Sequence, residues 1–244
     1  MASQHPFSVD PLEQRFARAR LLLRAIEHNH SPAAFASSFG AEDMVLLDLI
    51  AWEGLDIDVF TLDTGRLPRE THELIAHVRQ RYGLLVEVVT PRAASVDAYV
   101  QRHGLDGFYD GIEQRRACCQ VRKVEPLKRA LRGKKAWITG LRRGQAESRA
   151  VIEEREHDEA HGLWKFNPLA DWSAEDAWAY LRSRKVPYNA LHDRGYPSIG
   201  CEPCTRAVKP GEDPRAGRWW WERDEAAREC GLHAIPVRVA RGAA

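Results

Sequence analysis

Five cysteines are the residues of this chain best suited to chemistry, and they fall into three groups. Cys118 and Cys119 are adjacent, Cys201 and Cys204 bracket Glu202-Pro203, and Cys230 stands alone in Glu229-Cys230-Gly231-Leu232-His233. Disulfide pairing would leave one cysteine over, and adjacent cysteines pair poorly because the bond needs facing Cβ atoms. Two pairs and a singleton read instead as four ligands and one working thiol. Four thiolates suit zinc or an iron–sulfur cluster. The fifth is then free to act as a nucleophile.

Two short polar loops form the next candidate. Ser37-Ser38-Phe39-Gly40-Ala41-Glu42-Asp43 follows one apolar run, and Leu62-Asp63-Thr64-Gly65 closes another. In an open α/β sheet, ligands meet loop amides and helix N-termini at the carboxyl ends of strands. The first loop lacks the glycines of a dinucleotide fingerprint and the Gly-Lys-Ser/Thr of a Walker loop. In isolation it fits an ordinary strand–helix turn. Together the two turns suggest a nucleotide site, with base and ribose on one and phosphate at the other.

The elements that must position these groups alternate. Apolar spacing predicts a helix over 11–29, a strand over 33–38, a helix over 44–51 and a strand over 58–62. A helix over 68–82 follows with Pro68 in its first turn, then a strand over 84–89 and a helix over 96–102. A basic helix over 124–131 leads into a strand over 135–139. This rhythm predicts an α/β fold with a mostly parallel sheet flanked by helices. Residues 142–158 read as a charged loop with an extended stretch. Ser173-Ala174-Glu175-Asp176 resembles a capping box before a helix over 177–184. From 187 to 217 the chain is rich in Pro, Gly and Cys, and a metal centre would order such a stretch.

The chain has 244 residues, 44% of them hydrophobic, enough for one core or a core with a small appendage. A net charge of +1 conceals an uneven distribution. Arg115, Arg116, Arg122, Lys123, Lys128, Arg129, Arg132, Lys134 and Lys135 cluster around the lone acid Glu125. Such a stretch is either a solvated helix face or a site for an anionic ligand or partner. Nucleic acid is disfavoured because no binding motif accompanies the charge. Residues 1–20 hold no apolar run, and Leu21-Leu22-Leu23 is cut off at Arg24, so neither a signal peptide nor a membrane span is expected. A cytoplasmic location with reduced thiols follows as the expectation.

Ser-Phe-Gly-Ala-Glu-Asp, Leu-Asp-Thr-Gly, the Cys-Cys pair, Cys-Glu-Pro-Cys-Thr-Arg and Glu-Cys-Gly-Leu-His occur here in the order of one family. From the first strand to Cys230 the chain resembles the thioredoxin-dependent adenylylsulfate (APS) reductases of bacterial sulfate assimilation. The first loop alone marks only the wider superfamily of adenosine-nucleotide α-hydrolases, which includes ATP pyrophosphatases. The two cysteine pairs and the C-terminal motif are far more specific.

The resemblance implies that Cys118, Cys119, Cys201 and Cys204 hold one [4Fe-4S] cluster per chain; residue types alone leave zinc open. Reductases that prefer the 3′-phosphorylated substrate (PAPS) typically lack these pairs, so the pairs point to APS. By the same resemblance Cys230 attacks the substrate sulfur, AMP leaves, and a thioredoxin (or glutaredoxin-like) thiolate releases sulfite from the S-sulfocysteine. Glu229 would oppose ionisation of Cys230, and a cationic His233 would favour it. Ser37, Ser38, Phe39, Gly40, Asp43, Leu62, Asp63, Thr64 and Gly65 take the place of the family's nucleotide contacts. Lys123, Arg149, Arg215 and Arg218 match its phosphosulfate-binding cations, where a guanidinium grips two oxygens at once.

Residues 1–218 are thus expected to form the sulfonucleotide-binding domain with the cluster, and 219–244 a mobile segment carrying the nucleophile. Trp219-Trp220-Trp221 should anchor that segment by packing, and His192 reads as an ordinary structural histidine. Two features depart from the family: Ala146 stands where many relatives have serine, and residues 234–244 continue past the final motif. The rival functions are PAPS reduction, an ATP-dependent adenylating enzyme, and a zinc-stabilised nucleotide-binding module without turnover. The sequence leaves open whether the chain forms a homo-oligomer.

Overall fold

The structure, a computed structural model, describes residues 11–146, 149–222 and 231–232. Six strands form one sheet in the order β3-β2-β1-β4-β6-β5. β1 (Ala33–Ala36), β2 (Asp58–Leu62), β3 (Val86–Val89), β4 (Ala136–Ile138) and β6 (Leu163–Phe166) run parallel. β5 (Arg155–Asp158) closes one edge antiparallel to β6. β1 and β4 lie at the centre and are almost wholly buried, as expected of parallel strands covered on both faces.

The helices follow the apolar spacing. α1 (Pro11–His30) buries Ala19, Leu23 and Ile26, and α3 (Arg69–Tyr82) buries Thr71, Leu74, Ile75 and Val78 on one stripe. α2 (Ala41–Glu53) is apolar nearly all round and passes through the core, with Met44 to Leu47, Leu49 and Ile50 buried. It begins directly after Gly40, three residues earlier than its apolar run predicts, so the polar loop abuts the helix N-terminus. Pro68 precedes α3 as its N-cap rather than opening its first turn. α4 (Ala93–His103) matches the sequence expectation closely. α7 (Ala174–Ser183) starts at the predicted capping box: Asp176 N–H donates to Ser173 Oγ (3.0 Å) and Ser173 N–H to Asp176 Oδ2 (2.8 Å).

Two elements were not anticipated. α5 (Ile112–Cys119) joins α6 (Glu125–Ala130) through a π-helical turn at Gln120–Val124, and all three lie within the basic stretch. Strand β6 escapes the hydrophobic pattern because Lys165 sits in its middle. That lysine is buried, pairs with Glu156 on β5 (2.8 Å) and passes over the Trp137 ring.

Buried Asp48 ties α2 to the helices around it. It accepts from Tyr82 Oη of α3 (2.8 Å), Tyr180 Oη of α7 (2.7 Å) and Arg184 Nε (3.0 Å). Asp48→Ala removes one acceptor from three donors and is expected to cost about 3 kcal/mol, against about 1 kcal/mol for Tyr82→Phe. Denaturant melts of the two variants measure both.

Candidate active site

The strand order reverses at β1, which lies between β2 and β4, and this switch point opens a crevice at the strands' carboxyl ends. The crevice is a cavity of about 680 Å³, the size of a nucleotide-like small-molecule site. Ser37, Ser38, Gly40 and Asp43 line it after β1, Leu62 and Thr64 after β2, and Thr139, Gly140, Leu141 and Arg142 after β4. Of the contacts predicted on the first two loops, Phe39, Asp63 and Gly65 are not on the wall. Phe39 is buried in the core with a left-handed backbone (φ 61°), which turns its neighbours Ser38 and Gly40 toward the cavity. Asp63 Oδ1 caps the turn by accepting from Gly65 N–H (2.8 Å).

The N-terminus of α2 would ordinarily favour an anion. Here the chain supplies its own. Asp43 Oδ2 accepts from Ser38 N–H (2.5 Å) and Ser38 Oγ (2.7 Å). Its other oxygen lies against Gly140, where any Cβ would come within 2.2 Å, so only glycine fits that turn. Burial pushes the Asp43 carboxyl up to about 6, against the pull of the Ser38 hydrogen bonds. Glu42 beside it is engaged by Arg142 through Nε (2.8 Å) and Nη2 (2.7 Å). Sequence reading missed this pair: Glu42 stood in the first polar loop and Arg142 at the start of the charged stretch 142–158.

Cations gather elsewhere on the wall. Lys123, Arg149, Arg215 and Arg218 all line the cavity. Arg149 donates to the neutral Gln145 Oε1 (2.5 Å), and Arg218 to Ser198 Oγ and the Ile199 carbonyl (3.2 Å each). Gly200 makes room for Arg218: a Cβ there would lie 2.3 Å from the guanidinium. Ala146 also lines the cavity. His192 proves to be part of the wall as well, edge-on to Trp178 with ring centroids 5.1 Å apart; burial lowers its pKa.

The two cysteine pairs meet. Cys118, Cys119, Cys201 and Cys204 line one buried pocket with Arg66, Arg115, Arg122, Lys123 and Trp219. Lys123 and Trp219 belong to both pockets and separate the cysteines from the cavity. Cys201 Sγ lies 3.2 Å from Thr64 Oγ1, and Arg122 donates to the Thr64 carbonyl (2.7 Å). Burial pushes the Cys118 thiol up and the Cys204 thiol up to about 12, so thiolates here require a strong positive partner.

The donor set suits a polynuclear cluster. Four soft sulfurs line a volume, with no carboxylate or imidazole among them. Zinc draws its sulfurs to about 2.3 Å from one centre, whereas each corner of a four-iron cluster takes its own cysteine. Trp219, on the pocket wall, also has a buried indole N–H with no protein acceptor.

Cys230, like His233, lies outside the described residues, as do Glu147 and Ser148. Its neighbours do not. Gly231 (φ 76°) is beside Val124, and Leu232 lines the cavity. Most of the expected mobile segment, 223–230 and 233–244, also falls outside the described residues, but Trp219 and Glu222 are buried in the body. The packing role expected of the tryptophan run holds for Trp219 and for Trp221, which meets Tyr109 edge-on (4.5 Å); Trp220 is half exposed.

A cation-lined crevice at the switch point of a parallel sheet defines a nucleotide-binding α/β protein. Residues 32–207 match the profile of the phosphoadenosine phosphosulfate reductase domain. The chain is 56% identical to the adenosine 5′-phosphosulfate reductase of Allochromatium vinosum, over 94% of this chain and 90% of that protein. It is 52% identical to the enzyme of the same name from Burkholderia cepacia, over 96% and 95%. It therefore belongs to the adenosine 5′-phosphosulfate reductase family of oxidoreductases. The fold is similar to the phosphoadenylyl-sulfate reductase of Candida auris, solved as a phosphate complex (TM-score 0.67, 26% identity, 84% of this chain and 100% of that one). A wider fold likeness reaches FMN adenylyltransferase of Candida glabrata (TM-score 0.55, 17% identity, 98% and 83%).

Asp43 makes the fold sensitive to pH. Its folded pKa near 6 lies above the 3.8 of the free group, so the folded chain takes up a proton first as pH falls. Relative to Asp43→Asn, the native protein should therefore gain on the order of 2–3 kcal/mol of stability as pH drops through that window, and lose it again as pH rises. Unfolding midpoints across the range check the sign.

Proposed function

We propose that this protein reduces adenylylsulfate to sulfite and AMP, with reduced thioredoxin or a glutaredoxin-like donor supplying two electrons, in the cytoplasmic assimilation of sulfate toward cysteine. The observation that carries the reading is the convergence of both cysteine pairs in a pocket that shares Lys123 and Trp219 with the cation-lined cavity. The adenosine end would lie along the β1 and β2 turns. Phosphate and sulfate would meet Lys123, Arg149, Arg215 and Arg218, where charge-assisted bonds are strongest. Asp43 and Glu42 already fill the α2 terminus with negative charge, which favours ribose hydroxyls there and opposes a further phosphate. The names of the two bacterial relatives support the same choice of APS over PAPS.

In the first step the Cys230 thiolate attacks the sulfate sulfur. An S–S bond forms, the S–O bond to the phosphate breaks, and AMP leaves with its electron pair. In the second step a thiolate of the donor attacks Cys230 Sγ, and sulfite departs with the electron pair of the S–S bond. The donor's second thiol resolves the mixed disulfide, so sulfur(VI) becomes sulfur(IV) and the dithiol is oxidised. The cationic wall steadies the charge that builds on the departing AMP. Cys118, Cys119, Cys201 and Cys204 would hold a [4Fe-4S] cluster, which would supply local charge and cross-link the chain; the electrons balance without it.

Incubation with APS and no thioredoxin should leave one sulfonate on Cys230, visible by intact mass and removed by thioredoxin with release of sulfite. Cys230→Ser should still bind AMP and keep its iron, yet form no adduct. An adduct on another cysteine, or a kcat/KM for PAPS equal to that for APS, contradicts the reading. The ligand set has its own check: Cys201→Ser should lose its iron and most of its activity, and a variant with full iron content removes Cys201 from the set.

A further inference from the structure

The stretch that precedes the Cys230 segment, up to Glu222, is tied to both cysteine pairs. Its backbone runs antiparallel to the stretch after the second pair. Arg206 N–H donates to the Gly217 carbonyl (3.0 Å), Thr205 bridges Arg218, and Trp219 N–H donates to the Cys204 carbonyl (3.1 Å). Trp219 then takes a left-handed backbone (φ 46°), costly for a bulky residue. Its ring meets two guanidiniums, Arg218 at 4.8 Å and Arg115 at 4.7 Å.

Three residues later comes the second tie. Glu222 accepts from Arg115 Nε at Oε1 (2.5 Å) and from Nη2 at Oε2 (3.2 Å), with both side chains buried. Arg115 lies on α5 one turn before Cys118 and has no exposed surface at all. A buried pair of this kind is costly to desolvate, and a well-packed apolar pair would hold the chain as firmly. What two parallel N–H···O bonds add is direction. Beyond residues 223–230, Gly231 lies beside Val124 and Leu232 packs on the cluster of side chains that includes Leu127. Both flanks of the Cys230 stretch are therefore placed against the same basic helices.

We propose that the Arg115–Glu222 ion pair is a positioning device for sulfur transfer: it fixes the root of the C-terminal segment against the helix bearing Cys118 and Cys119, and so sets where Cys230 meets the cavity. This rests on the assignment of Cys230 as nucleophile. Arg115 and Glu222 touch neither substrate nor reacting atoms; they act through the chain they hold.

The test uses Glu222→Gln, which keeps the shape and removes the charge, and Glu222→Ala, which removes both acceptor oxygens; each leaves Arg115 in place on the wall of the cysteine pocket. Four quantities are compared with the native protein: iron content, affinity for AMP, the single-turnover rate of sulfonation at Cys230, and tryptic cleavage after Arg223 and Arg228. Iron and AMP affinity should stay within about twofold. Sulfonation should slow by about tenfold or more, as a small misplacement of a nucleophile does, and cleavage should accelerate. A sulfonation rate within twofold of native in both variants overturns the proposal, as does a fall that merely tracks lost iron or lost AMP binding. A native protein that forms no adduct on Cys230 refutes the nucleophile assignment instead, and the cleavage comparison then decides the anchoring role by itself.

Discussion

Thr64 holds the site together, and most of the surrounding geometry depends on its contacts. Its carbonyl is buried at the end of β2 and needs a donor, which Arg122 supplies from the π-helical turn after Cys119. Its hydroxyl meets Cys201, and its side chain lines the cavity. One residue thus connects the sheet edge, the helix of the first cysteine pair and the loop of the second. The extra residue of a π turn changes which face of a helix its side chains occupy. Here it accompanies the placement of Arg122 inward on Thr64 and of Lys123 on the wall between the two pockets.

Charge is separated within the site in a way that a uniform anion pocket would not show. The α2 terminus, the natural place for a phosphate, is occupied by Asp43 and guarded by Glu42. Cations are concentrated instead around Lys123, Arg149, Arg215 and Arg218. In a cavity of low dielectric such a gradient orients a ligand with one neutral and one highly charged end. It also explains the glycines: Gly140 lets Asp43 come close to the β4 turn, and Gly200 lets Arg218 lie against the backbone before Cys201.

The basic stretch had two readings, a solvated face or an anion site, and the structure divides it between them. Arg116 and Lys128 are exposed on the helices and Arg132 in the turn after α6, whereas Arg115 and Arg122 are buried beside the cysteines and Lys123 faces the cavity. Arg115 matters most for the chain's end, because it accounts for the burial of Glu222 and one side of the Trp219 ring. The tryptophan run is therefore a joint between pocket and tail rather than a generic apolar plug.

The sequence by itself determined the alternating architecture, the parallel sheet, the α7 capping box and the identity of the chemical groups. Those features are local: apolar period, turn residues and thiol or guanidinium chemistry are written in short windows. Strand β6 was hidden because Lys165 breaks the apolar run and is compensated only by Glu156 on another strand. α5 was hidden because its charged residues interrupt the apolar period, and the partner that buries Arg115, Glu222, lies far along the chain. Only the tertiary structure decided that Cys118 and Cys119 face Cys201 and Cys204, that Glu42 is matched by Arg142, and that Arg115 is matched by Glu222. These pairings join residues far apart in the chain, and their strength comes from burial, which no short window of sequence contains.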